Sequence, residues 1–265
     1  MLTQEDRGKI PSLEEFPFWI QDNTGIVIDS THISHYNAAA AQMKEQLERS
    51  SFWELICKKI IEFNDEYYGE YGTELLKDKK APSIDVKPGD SFIEKIYREN
   101  VVDNQDFPGE PRAGWVVPAN WFERIDDILR TTIVVRYLDG IEYIATRLEN
   151  LCSDRAVLKD RCKYLAKIEG YYAAHLYFNM EFEIPGMEWK TEKIVSPIEV
   201  QITTQVKEVI KELIHPYYEE QRVKRYSEED MWQWRYESPE FVRNYLGHII
   251  HYVEGMMVGI RRRNK

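Results

Sequence analysis

Two acids stand out by where the sequence puts them. Asp127 comes just before a β-branched run, Thr131-Thr132-Ile133-Val134-Val135, which favours a strand. Glu199 lies in Ile198-Glu199-Val200-Gln201-Ile202-Thr203, where apolar and polar residues alternate. That alternation turns Ile198, Val200 and Ile202 to one face and Glu199, Gln201 and Thr203 to the other. If helices cover the apolar face, the polar face borders a cleft. Two carboxylates on neighbouring strands can bind Mg²⁺, which takes oxygen ligands and commonly keeps one or two carboxylates together with substrate phosphates. The plainer alternative is a solvated sheet face that happens to carry Glu199.

Cations suited to phosphate stand at Lys87, Lys95, Arg98 and Arg130. Lys95 and Arg98 are three apart and share a helix face, and a helix starting near Ser91 would aim its dipole at an anion. The alternative for each is an ordinary charged surface. Gly170-Tyr171 falls in a tight connection before a strand. A tyrosine on a glycine turn is a stacking platform for a nucleobase, although a chain with 17 tyrosines also packs many of them in its core. His248 and His251 are three apart on the last helical segment, but no third metal ligand accompanies them. There is no Gly-x-x-x-x-Gly-Lys-Ser/Thr loop, no Gly-x-Gly-x-x-Gly, no Gly-x-Ser-x-Gly, no His-Glu-x-x-His and no His-Asp pair.

The elements that must position these groups follow from periodicity. Residues 1–33 read as irregular, punctuated by Pro11, Pro17 and Gly25. Helical sequence runs from Ser34 to Tyr67, with a cap between two helices at Ser50-Ser51. Ile84–Lys87 reads as a strand, Ser91–Ile96 as the start of a helix, and residues 100–120 as a loop. A helix over Trp121–Leu129 leads into the strand at 131–135, and Asp139-Gly140 opens another helix. Tyr164–Ile168 and His175–Ile184 read as strands, Pro185–Ser196 as a polar insertion, and Thr204–Arg225 as a helix. Ser238-Pro239-Glu240 supplies a cap, a proline at the first helical position and an acid in the first turn. Phe241, Val242, Tyr245, Leu246, Ile249, Val253 and Met256 then form one apolar face. That face is expected to close the core, the alternative being a partner or a second subunit. The order of elements is that of an α+β fold with a mixed β-sheet flanked by helices.

Composition sets the outer bounds. The 265 residues carry 35 Lys+Arg against 46 Asp+Glu, a net charge of −11, with 43% apolar and 31% charged residues. This is a globular composition, and its acidity argues against non-specific nucleic-acid binding by the whole surface. No run of 18 apolar residues exists, so no membrane partner is expected. The first residues lack the basic and apolar regions of a signal peptide. Three scattered cysteines fit reduced thiols in a cytoplasmic protein.

Four segments together resemble the synthetase domain of the RelA/SpoT alarmone family. They are Lys87-Pro88-Gly89-Asp90-Ser91-Phe92-Ile93-Glu94-Lys95, Asp127 to Val135, Gly170-Tyr171-Tyr172-Ala173-Ala174-His175, and Ile198 to Thr204, in the family's order. His215 and Tyr218 follow where the family has a histidine-bearing helix. The resemblance spans roughly residues 80–225. It implies a nucleotidyltransferase-like synthetase core at 80–225, N-terminal helices packing on it within 1–79, and a C-terminal helical extension at 226–265. It further implies transfer of pyrophosphate from ATP to the 3′-hydroxyl of a guanine nucleotide, GDP or GTP. In that reaction Asp127 and Glu199 would be catalytic and hold Mg²⁺, and Glu199 would take the hydroxyl proton. Lys87, Ser91, Lys95, Arg98 and Arg130 would bind ATP phosphates, and Tyr171, His175 and Gln201 would bind the acceptor. The family's three usual arginines are replaced by Asp85, Thr132 and Thr203, with Arg130 and Arg136 as stand-ins. The 265 residues are expected to leave no room for the family's companion hydrolase, which points to the small alarmone synthetases or their toxic relatives. Alternatives are therefore a tRNA 3′ end or an adenosine nucleotide as acceptor, with an antitoxin or self-association as partners, and, in another class, a nucleotide-binding module without catalysis.

Overall fold

The computed structural model describes residues 10–155, 157–168, 170–186, 190–211 and 232–263. At its centre is one mixed sheet of five strands: β1 (Ile84–Val86), β2 (Leu129–Val135), β3 (Leu158–Ala166), β4 (Tyr172–Pro185) and β5 (Thr191–Thr204). Their spatial order is β1-β2-β5-β4-β3. β2 and β5 run parallel and every other pair is antiparallel. The expected α+β architecture is thus present.

The two central strands behave as their alternation requires. Along β2 every second residue is buried, and Ile198, Val200 and Ile202 of β5 are essentially sealed from solvent. Leu176 and Phe178 of β4 continue the same apolar layer. Helices α2 (Ser30–Glu48) and α6 (Asp139–Asp154) pack on the sheet, and α3 (Ser51–Tyr71) packs against both. The opposite face keeps the polar residues of β5, β4 and β2.

Local chemistry fixes the helix boundaries. Asp29 caps α2 by accepting from the N–H of Thr31 and His32 at 2.9 and 3.1 Å. The Ser50 hydroxyl caps α3 by accepting from the N–H of Trp53 at 3.1 Å. Buried Asn64 then organises the return to the sheet, its carbonyl accepting the N–H of both Leu75 and Leu76 at 3.0 Å. Burying those two amides unpaired would cost more than the side chain's own desolvation.

Four expectations need correction. Residues before 33 are not irregular: α1 (Phe16–Thr24) forms there and buries Phe16 and Ile20 completely. Pro17 is tolerated because it occupies the first turn, where its missing N–H has no helical partner to lose. The helix after Trp121, α5, ends at Arg124, and Ile125 is already extended. This early stop delivers Asp127 to the start of inner strand β2. Pro185–Ser196 is mostly ladder, since β4 and β5 stay paired out to Pro185 and Thr191. Cross-strand contacts such as Lys193–Glu181 at 3.0 Å make a polar sequence compatible with strand pairing.

The fourth correction concerns the last helix, α8 (Pro239–Arg263). Its Ser238 cap is present, the hydroxyl accepting from the Phe241 N–H at 3.1 Å. Its apolar stripe does not close the core: Val242 is 61% and Ile249 55% exposed, and the buried positions are Asn244, Glu254 and Val258. Between β5 and α8, residues 205–211 are helical (α7). His215, Tyr218 and the remainder of the expected helix lie outside the described residues. Short α4 (Gly89–Tyr97) follows β1. Among the described residues, no helix is long and apolar enough to cross a membrane.

Candidate active site

One end of the site is built around Lys87, the residue after β1. Its N–H donates to the Ile128 carbonyl at 2.9 Å, and its carbonyl accepts from the buried Tyr36 hydroxyl at 2.7 Å. With its backbone held from two sides, Lys87 reaches Asp127, Nζ to Oδ2 at 2.8 Å, in a pair whose side chains are 4% and 22% exposed. Burial alone would raise the Asp127 pKa. The Lys87 ammonium, with the fields of Lys95 and Arg130, overcomes it and holds the carboxyl below its ordinary value. The second oxygen, Oδ1, is buried and accepts no hydrogen bond among the described residues. Burial and the Asp127 charge together push the Tyr36 phenol upward.

Glu199 anchors the middle. In register it lies beside Arg130 of β2 on one side and Tyr177 of β4 on the other. Its Oε1 accepts from the Tyr177 hydroxyl at 2.9 Å and lies 2.8 Å from His175 Nδ1, while Oε2 accepts from the Gln201 amide at 2.8 Å. With the His175 proton on Nδ1, facing the carboxylate, Nε2 is left to accept from the Tyr171 hydroxyl at 3.0 Å. Burial would raise the Glu199 pKa and the Asp127 charge pushes the same way. The hydrogen bonds from His175 and then Gln201 outweigh both, so the net shift is downward. The carboxyl is therefore ionised at neutral pH.

The two acids occupy one field. Asp127 acts electrostatically on Glu199, and both act on Tyr177, whose phenol is driven up by burial first and then by Glu199. Thus Asp127, Glu199, Lys87, Lys95 and Arg130 are brought together, and His175, Gln201 and Tyr171 join them through Glu199. Tyr171 is half-buried, edge-on to His175 at 6.1 Å, with Lys167 Nζ 5.7 Å from its ring centre. Lys95 also pairs with Glu99 at 2.9 Å. Arg98 is directed towards Glu94 at 3.9 Å instead of an acid of the site. Ser91 stands half-buried in the first turn of α4. Of the two stand-in arginines, Arg130 lies in register between Asp85 and Glu199, whereas Arg136 donates Nε to the Leu76 carbonyl at 3.0 Å.

Tyr177 and Tyr36 are site residues that the sequence reading missed. The first was accessible: two residues after His175 on a strand, it must share that residue's face. Tyr36 carried no local signal, because its contact with Lys87 spans 51 positions.

Among the described residues, no group of three or more His, Cys, Asp or Glu is arranged to hold a metal. A hard cation satisfied largely by substrate phosphates needs fewer protein ligands. The unpartnered buried Oδ1 of Asp127 fits that role, and Glu199, with three hydrogen-bonding neighbours on two oxygens, retains lone-pair capacity.

The fold is α+β, and its mixed sheet holds Glu199 buried within the electrostatic field of Asp127. The particular likeness is to small alarmone synthetase 1 from Bacillus subtilis: TM-score 0.51 at 15% identity, covering 87% of this chain and 94% of that one. A GTP pyrophosphokinase family protein from Streptococcus pneumoniae gives 0.48 at 15% identity, over 87% and 91%. The Bacillus subtilis small alarmone synthetase 1 bound to its product pppGpp gives 0.46 at 16%, over 79% and 90%. No protein-family model matches the chain, and no curated protein matches it. The chain has the fold of the small alarmone synthetases.

Proposed function

We propose that this protein is an ATP-dependent pyrophosphokinase that transfers pyrophosphate to the 3′-hydroxyl of a guanine nucleotide. The observation that carries the reading is the convergence of Asp127 and Glu199 in one field, with Tyr171 tied to Glu199 through His175. The fold shared with small alarmone synthetase 1 supports the same reading.

Lys87, Lys95 and Arg130 surround Asp127 with positive charge suited to the ATP phosphates. Tyr171 would receive the acceptor base, stacking without reading its edges. Glu199, ionised and held at both oxygens, would take the proton of the acceptor hydroxyl. The hydroxyl oxygen bonds to the β-phosphorus, the bond from that phosphorus to the α–β bridging oxygen breaks, and AMP leaves with the electron pair. Most of the acceleration would come from positioning and charge neutralisation. Asp127 and Glu199 would hold Mg²⁺, which would supply further neutralisation of phosphate charge.

Incubation with γ-labelled ATP and GDP or GTP tests this. Label should pass to the acceptor with one AMP formed per transfer. ATP binding without AMP release would instead favour the non-catalytic alternative.

A second acceptor class has one observation in its favour. Lys159, Arg161, Lys163 and Lys167 lie exposed along edge strand β3 and into the turn that carries Tyr171. Two of the four are matched by acids, Lys159 by Asp126 at 2.5 Å and Lys163 by Asp160 at 3.0 Å. A tRNA 3′ end would extend over this strand, and its labelling should fall steeply with salt.

A further inference from the structure

The face by which α8 docks is unlike an ordinary helix-packing face. Most of its apolar residues point outward, Val258 being the buried exception, and the rest of the contact is made through asparagine, glycine, histidine and acid. At Gly247 the helix backbone comes against the backbone of Gly170, and a Cβ on either glycine would collide with the other segment. Gly170 also has φ +77°, so the turn between β3 and β4 needs glycine there twice over. The turn closes on itself, Lys167 N–H donating to the Tyr171 carbonyl at 3.0 Å and Gly170 N–H to the Lys167 carbonyl at 2.9 Å.

One residue of α8 spans this turn from outside. His248 Nε2 lies 2.9 Å from the Ile168 carbonyl, before the turn, and Nδ1 lies 2.8 Å from the Tyr172 hydroxyl, after it. A carbonyl only accepts, so Nε2 carries the proton and Nδ1 accepts from Tyr172. Three residues further along, His251 stacks on the Tyr172 ring at 3.8 Å between centroids and 3° between planes. Lys207 of α7 donates to His251 Nδ1 at 3.1 Å and pairs with buried Glu254 of α8 at 3.2 Å. The far end of α8 is fixed to the main body by Arg261 on Asp139 and Tyr67. Tyr171 therefore sits on a turn whose two flanks are bridged by a helix that is itself anchored at its middle and near its C-terminal end.

We propose that α8 is a positioning element for the acceptor pocket, with His248 stapling the turn that carries Tyr171 and Gly247 allowing the backbone approach that the staple needs. The proposal deepens the pyrophosphokinase reading, on which its kinetic consequence rests. His248 touches no substrate; it acts through the orientation of Tyr171. It assigns the C-terminal helix a role in acceptor binding, and leaves the donor half of the site independent of α8.

The test uses the full chain with His248→Ala, Gly247→Ala and His248→Gln. Steady-state transfer from ATP to GDP is measured, alongside deuterium exchange at the Lys167 and Gly170 amides. His248→Ala should raise the acceptor KM by about tenfold, leave kcat and the ATP KM within about twofold, and speed exchange at those two amides while β5 is unchanged. Gly247→Ala should do the same. Glutamine, which can donate to Ile168 and accept from Tyr172, should restore both readouts. An acceptor KM unchanged in His248→Ala, a fall in kcat alone, or failure of glutamine to restore would each overturn the proposal. If the parent protein transfers nothing to any acceptor, the functional reading fails, and exchange decides the staple alone: faster exchange confined to the turn upholds it, and unchanged exchange overturns it.

Discussion

Asp127 and Lys87 are set in the wall of the main core, whereas Tyr171 hangs from an edge turn that α8 pins from outside. The first pair is fixed by backbone contacts to Ile128 and Tyr36, and by burial. The second is fixed by side chains that reach across from a helix with most of its apolar residues turned to solvent. On the proposed function, the difference would separate two demands on a group-transfer site. Phosphate chemistry tolerates little error in the placement of charge, which would fit the burial of the Lys87–Asp127 pair. Stacking on a base tolerates more variation, which would fit the placing of Tyr171 on a peripheral turn.

The largest expected effect comes from breaking the embedded half. Asp127→Ala should reduce transfer on the order of a thousandfold. It should also destabilise the fold by about 3 kcal/mol, because it leaves Lys87 buried without its partner. Urea unfolding beside the transfer assay reads both. Breaking the peripheral half should separate them: Tyr171→Ala should raise the acceptor KM about tenfold while the urea midpoint stays close to that of the parent. If Tyr171→Ala lost as much stability as Asp127→Ala, the contrast between the halves would be wrong.

Two smaller effects sharpen the comparison. Ser50→Ala, remote from both halves, should cost about 1 kcal/mol through the α3 cap and leave both KM values alone. The docking of α8 should weaken in mild acid. Burial first, then Lys207 and His248, hold the His251 imidazole below its ordinary 6.5, with Glu254 as the facing acid on Lys207. A base with a depressed folded value binds fewer protons when folded. Its contribution is thus intact above 6.5 and is lost as pH falls below it. Between pH 7.5 and 5.5 the parent should lose more stability than His251→Gln does. An equal loss in the two proteins would assign the acid sensitivity elsewhere.

Much of the embedded half was legible because it is written in strands. Alternation at Ile198–Thr203 alone oriented Glu199 and Gln201, and the β-branched run after Asp127 located β2. The peripheral half was legible in its motif but not in its support. The periodicity of α8 reads as a core helix since the pattern counts apolar residues, and here the packed face is made of Asn244, Gly247, His248, His251 and Glu254, with Val258 as its one buried apolar residue. Such a face follows from long-range pairing, which no local window contains. The same holds for Tyr36, whose hydroxyl matters only once α2 lies against β1. Tyr177 is the one residue whose signal was present and unused. The short α1 was hidden by Pro17 and Gly25, which mark its ends rather than its absence.

The central claim is that Glu199, beside Asp127, takes part in transfer from ATP. Glu199→Gln keeps the shape of the side chain and its contact with Gln201 or His175 while removing the charge. Run beside the parent with γ-labelled ATP and a panel of GDP, GTP, adenosine nucleotides and bulk tRNA, the variant should stay folded by circular dichroism. It should release AMP at least a hundredfold more slowly with whichever acceptor the parent labels. A variant that transfers label as fast as the parent would contradict the account.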